Sequence, residues 1–273
     1  RQIIRVMAMS SDARAYAEEQ GLPSALTAAM KTVLLEKPSD GKARLVELLS
    51  DGVASSFYVH NAKGNENNAK GGQEFEAEKA AMVFIEYQNE FCTPGGKMHD
   101  AVKPVMESTG MLAKSVDVAA ACRAAGVKVM MTAITFSEDA SDNPNKKLGI
   151  LAGCADGQLF TKGSWNAEFC HEMSPQEGDF IVSGKKGLDA FPGTDLESQL
   201  VANGIETVVL AGFLTNCCVE STMRTAYEKG FNVITLTDCV ATTSEDGQKV
   251  TDGSYGFFST PMTADDFKAK LTK

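Results

Sequence analysis

Five short runs, most of them apolar throughout, set the terms on which this chain can fold: Ala81 to Ile85, Val127 to Ile134, Phe180 to Ser183, Thr207 to Leu210 and Val233 to Leu236. Runs of this length bounded by turn residues predict strands buried on both faces. Between them, Ala101 to Ala125, Leu196 to Asn203 and Cys218 to Lys229 carry helical spacing. A parallel neighbour needs a crossover long enough to hold a helix, so the repetition of strand, helix, strand predicts an α/β domain of three layers, a mostly parallel sheet with helices on both faces. Asn143 to Glu172 lacks either period and reads as an irregular stretch, a lid or a subunit contact. Phe257 to Ser259 predicts a last strand. A final helix should follow it, capped by Thr263 with Asp266 three residues on.

The sequence before Ala80 has another character. Ser11 to Gly52 reads as three short helices punctuated by Gly21-Leu22-Pro23 and Lys37-Pro38-Ser39-Asp40-Gly41, with Leu22, Leu26, Met30, Val33 and Leu34 on one face of the middle one. Helices this short need a surface to bury such a face, either the main domain or a second copy. Residues 53–79 include Asn-Ala-Lys-Gly-Asn-Glu-Asn-Asn-Ala-Lys-Gly-Gly and predict a linker. The expected plan is therefore a helical extension over 1–52, a linker over 53–79 and the α/β domain over 80–273. The pattern Ala15-Tyr16, Leu22, Leu26, Met30, Lys37-Pro38-Ser39-Asp40, Leu48-Leu49 weakly resembles the docking and dimerisation motif of the protein kinase A regulatory subunit and its Dpy-30 relatives, with Gly41 where a second proline is usual. That resemblance implies a dimeric helical bundle, and with it a homo-oligomer joined through the N-terminal helices.

A net charge of −10 over 273 residues, with no basic cluster to offset it, argues against nucleic acid and anionic lipid as partners and leaves a small-molecule substrate. No run reaches the roughly 18 apolar residues of a membrane span. The seven cysteines, Cys92, Cys122, Cys154, Cys170, Cys217, Cys218 and Cys239, are odd in number and lack metal-knuckle spacing. They predict reduced thiols in the cytoplasm or another reducing compartment. The chain opens on Arg1, which leaves a removed targeting peptide open.

In an open parallel sheet, ligands bind beyond the carboxyl ends of the strands. Three reactive side chains are expected there. Glu86 closes the first strand, Lys185 follows Phe180 to Ser183, and Cys218 stands where the fourth strand hands over to a helix. Val219, Thr222, Met223 and Ala226 share a helix face, which puts Cys218 in the first turn, where unpaired N–H groups and the helix dipole favour a thiolate. Singly, each has an ordinary explanation: a solvated acid, a turn lysine, a packed thiol. Together at one sheet edge they mark a nucleophilic site.

Three segments carry a resemblance to the isochorismatase-like cysteine hydrolases: AMVFIEYQNEF from Ala81, KKGLDAFPGTDL from Lys185 and GFLTNCCV from Gly212, in the family's order. The resemblance covers 80–271 and implies a Rossmann-like fold and a catalytic triad. In it Cys218 is the nucleophile, Glu86 takes the thiol proton and later protonates the leaving group, and Lys185 holds that carboxylate. It also implies a cis peptide between Phe213 and Leu214, with the N–H groups of Leu214 and Cys218 as oxyanion hole. The family's usual residue at position 86 is aspartate, one methylene shorter.

Nicotinamidases of that superfamily hold a metal through an Asp and two His after the second strand. Thr135 to Gly149 contains no histidine, and His60, His99 and His171 are scattered, so neither a catalytic metal nor a cofactor is expected. A retained cysteine favours attack on an acyl carbon, hence a small amide, ureido or carbamoyl compound cleaved through a thioester. The alternatives are vinyl-ether hydrolysis of the isochorismatase type, and a hydrolase fold with weakened chemistry serving as an oligomeric scaffold. Phe91, Phe136, Trp165 and Phe191 are the expected pocket walls.

Overall fold

The computed structural model describes residues 75–271. The expected helices of 1–52 and most of the expected linker lie outside the described residues. The linker's described end is packed: Phe75 stacks on Phe267 with ring centroids 5.6 Å apart, and Ala77–Lys79 forms a 3-10 turn.

Six strands form one sheet in the order β3-β2-β1-β4-β5-β6, all parallel. They are β1 (Ala80–Ile85), β2 (Lys128–Thr132), β3 (Phe180–Val182), β4 (Thr207–Phe213), β5 (Asn232–Ala241) and β6 (Thr260–Met262). The helices are α1 (Asn89–Cys92), α2 (His99–Thr109), α3 (Met111–Ala125), α4 (Gly149–Asp156), α5 (Leu196–Ala202), α6 (Glu220–Glu228), α7 (Glu245–Gln248) and α8 (Ala264–Leu271). β1 and β4 are buried along their whole length. Alternate residues feed two cores. Met82, Phe84, Val209 and Ala211 join Val102, Val118 and Phe267 on one face, while Ala81, Val83, Val208 and Leu210 join Leu200, Met223 and Ala226 on the other.

Several expected boundaries move. The single helix expected from Ala101 to Ala125 is two, parted at Gly110, whose left-handed φ of 66° ends one and begins the next. The stretch Asn143 to Glu172 contains α4, whose glycines at 149 and 153, with Gly157 capping its end, hid its helical character. The last strand is Thr260–Met262, because Ser254–Phe257 closes as a 3-10 turn. The predicted cap of the final helix is present: Asp266 N–H donates to Thr263 Oγ1 at 3.2 Å.

Candidate active site

The strand order reverses direction between β1 and β4, so their carboxyl ends part to leave a crevice. Gly212 lets the two strands stay close up to that point. Its φ is 134°, and a Cβ there would lie 2.1 Å from the Ile85 carbonyl oxygen. The register shifts between Leu210 and Gly212. β4 then runs out through Phe213, whose ring stacks on Phe91 at 5.0 Å and meets Tyr87 edge-on at 5.6 Å. The Phe213–Leu214 peptide is cis.

Beyond it, Thr215–Val219 makes a π-type turn ahead of α6, with Cys217 N–H and Val219 N–H both donating to the Leu214 carbonyl at 3.0 and 3.2 Å. Cys218 therefore sits in this turn rather than in the first turn of a regular α-helix. Three side chains pin the turn. Thr222 Oγ1 donates to the Cys218 carbonyl at 2.7 Å, Thr242 Oγ1 to Asn216 Oδ1 at 2.7 Å, and the buried Tyr255 hydroxyl to the Thr215 carbonyl.

Glu86 leaves β1 with a left-handed φ of 61°. Its N–H still donates to Thr132 at 2.8 Å, so the carboxylate is set by backbone on both sides of the sheet's end. Lys185 reaches it from the segment after β3. There Gly184, with φ of 92°, turns against Gly193 at a distance only glycine allows. Lys185 Nζ donates to Glu86 Oε1 and to the Gly187 carbonyl at 2.6 Å. Thr222 Oγ1 accepts from Ala190 N–H at 3.0 Å, tying the lysine segment to the cysteine helix.

Glu86, Lys185 and Cys218 are thus brought together, at 2%, 1% and 4% exposure. Burial would drive the Lys185 ammonium to lose its proton, but the Glu86 carboxylate outweighs it and holds its pKa above the ordinary lysine value. Burial pushes the Cys218 thiol well up, and the Glu86 charge adds to this, while Lys185 and a hydrogen bond from Leu214 N–H oppose it. The expected thiolate at rest is therefore corrected. Desolvation and a neighbouring anion exceed what a short helical turn offers, and the resting group is a thiol beside the Glu86 carboxylate.

Glu86, Leu214 and Cys218 border a cavity of about 240 Å³. Phe91 of α1 lines it as expected. The other three expected walls do not. Phe136 is buried behind the wall, its N–H and carbonyl bonded to Phe160 and Lys162. Trp165 is 46% exposed, and Phe191 packs in the opposite core against Phe231. Their places are taken by residues of the stretch read as irregular, Ile150, Leu151 and Cys154 on α4 followed by Leu159 and Phe160. The apolar spacing of Ile150, Leu151 and Cys154 was the available signal. Glu90 fixes this wall from behind: fully buried, it accepts Lys97 N–H at 2.6 Å, Asn166 Nδ2 at 3.0 Å and Phe160 N–H at 3.2 Å.

Among the described residues no three His, Cys, Asp or Glu side chains gather as a metal-binding group, and His99 Nδ1 is bonded to the Phe91 carbonyl at 2.9 Å. No described helix is long and apolar enough to cross a membrane.

Comparison with known proteins bears on this geometry. The isochorismatase domain model matches residues 80–266. A ureidoacrylate amidohydrolase of Methylobacterium radiotolerans is 32% identical over 168 residues, 58% of this chain and 65% of that one, so the chain spans just under two thirds of this relative. The crystal structure of N-carbamoylsarcosine amidase from Thermoplasma acidophilum aligns with TM-score 0.56 and 26% identity over 68% of this chain and 97% of that one. A cysteine hydrolase from Pseudomonas syringae shares the fold, with TM-score 0.65 and 24% identity over 72% of this chain and 94% of that one.

Proposed function

Since this chain belongs to the isochorismatase family, we propose that it is a cysteine hydrolase cleaving the C–N bond of a small amide, ureido or carbamoyl compound, with Cys218, Glu86 and Lys185 as its triad. The observation that carries this reading is a buried thiol that shares the border of a cavity with a carboxylate held in place by a buried lysine. The amidohydrolase and amidase activities of two of the proteins it resembles support it.

The cycle follows from the protonation states. Glu86 accepts the Cys218 proton as the sulfur attacks the substrate carbonyl, so the thiolate forms only when it is used. The tetrahedral oxyanion is met by the N–H groups of Leu214 and Cys218. Glu86 then passes its proton to the departing nitrogen, and ammonia or an amine leaves a thioester. Water attacks that thioester while Glu86 takes one of its protons. The sulfur departs, recovers the proton, and the acid is released. Lys185 holds the carboxylate aimed between attack and departure. Every part lies between Glu86 and Cys218, inside the family match, and we assign the hydrolase to residues 80–273.

Ammonia release from a panel of small amides and ureido compounds tests this. Cys218→Ala should reduce turnover to background, and Cys217→Ser should leave it within about twofold. Retained turnover in Cys218→Ala sinks the triad.

A further inference from the structure

Resting on the amide-hydrolase reading, we propose that the substrate is an uncharged amide with an apolar body, and that amides bearing a carboxylate are excluded. A carboxylate taken into an apolar cavity needs a cation or several N–H donors to replace its water. Among the described residues no Lys, Arg or His lines the cavity, whose body is walled by Phe91, Ile134, Leu151, Leu159, Phe160 and Leu188. The lysines around it are committed elsewhere. Lys185 is bonded to Glu86 and the Gly187 carbonyl, Lys97 Nζ to the carbonyls of Gly157 and Gln158, and Lys186 pairs with Asp142 at 2.7 Å.

The charges that do reach the cavity have the wrong sign for an anion. Glu86 borders it and the buried Glu90 stands behind Phe160, and both are already engaged, Glu86 by Lys185 and Glu90 by three N–H donors, so neither is left to pair an ammonium end. The Cys154 thiol on the cavity wall is raised to about 11 by burial and then by these two carboxylates, with Lys185 opposing. Size agrees with a compact substrate. An apolar protein cavity of about 150 Å³ holds benzene, so 240 Å³ accommodates a single ring or a short alkyl chain with its carboxamide. The ureido and carbamoyl acids after which two of its relatives are named would leave their carboxylate unpaired here.

Binding to the full-length Cys218→Ala protein, measured by calorimetry, separates selection from chemistry because it needs no turnover. The probes are hexanamide, glutaric acid monoamide and δ-aminovaleramide, matched in length and differing in end-group charge. Hexanamide should bind about 100-fold more tightly than either charged amide, the scale set by burying one unpaired ion. A preference below about tenfold, a preference for a charged probe, or no hexanamide binding overturns the proposal. Protection of Cys218 from iodoacetamide in the wild-type protein must give the same ranking, which covers a variant that folds poorly. If hexanamide binds selectively while the wild-type protein releases ammonia from none of the three, the selectivity stands and the hydrolase reading falls.

Discussion

At Cys218, burial and the Glu86 carboxylate hold the proton on, and Lys185 works against them. Removing one charge therefore moves reactivity and catalysis in opposite directions. In Glu86→Gln the thiol loses an anionic neighbour and keeps the cation, so its pKa falls and iodoacetamide alkylation should set in at lower pH than in the wild type. Hydrolysis should drop by about 10²- to 10⁴-fold with the loss of the base. Lys185→Met should shift alkylation to higher pH. Peptide mass spectrometry against pH, with Cys217 as internal control, reads both, and a shift of Glu86→Gln to higher pH would contradict the charge assignment. The three reactive residues were legible because each follows a recognisable strand. The protonation of Lys185 and Cys218 was not, since desolvation and mutual distance exist only in the folded site.

The elements divide in the same way. Buried parallel strands announce themselves by apolar runs, and the five runs fall on β1 to β5, while β6 begins just beyond the segment expected for it. The end of β4 was less legible, because its extension to Phe213 rests on a glycine against a neighbouring carbonyl rather than on a propensity. Gly212→Ala forces a Cβ to within 2.1 Å of Ile85 O and should destabilise by about 3 kcal/mol or more in urea unfolding. α4 was missed for the converse reason: three glycines weaken its local signal while Leu151 and Cys154 anchor it from the core side. Leu151→Ala should raise KM by about tenfold with a smaller change in kcat, as removal of a wall that binds substrate and transition state alike requires. An unchanged KM would take α4 out of the pocket.

The whole molecule carries several buried thiols, and they give its stability a pH dependence. Burial raises Cys122 and Cys239 each to about 12 and Cys154 to about 11, whereas an unfolded cysteine ionises near about 8.5. A raised thiol pKa favours the native state below the unfolded value, and that contribution is lost as pH climbs through the native values. Under reducing conditions the melting temperature should fall steadily from pH about 8.5 upward. A flat profile to pH about 11 would mean that these thiols are not buried as described. Deleting residues 1–74 should leave amide turnover within about twofold while changing the oligomeric state, which sedimentation would report. Loss of turnover would show that the preceding segment completes the site. Periodicity and motif order by themselves determined the layered parallel sheet and the three residues at its carboxyl edge, because apolar spacing and strand ends are local properties of the chain, whereas the strand order that opens a crevice there came with the fold. Which side chains wall the pocket, how Glu86 reaches the thiol and what sign of charge the cavity presents were decided by tertiary structure alone. Those depend on distances between segments that the chain brings together from as far apart as Glu86 and Cys218.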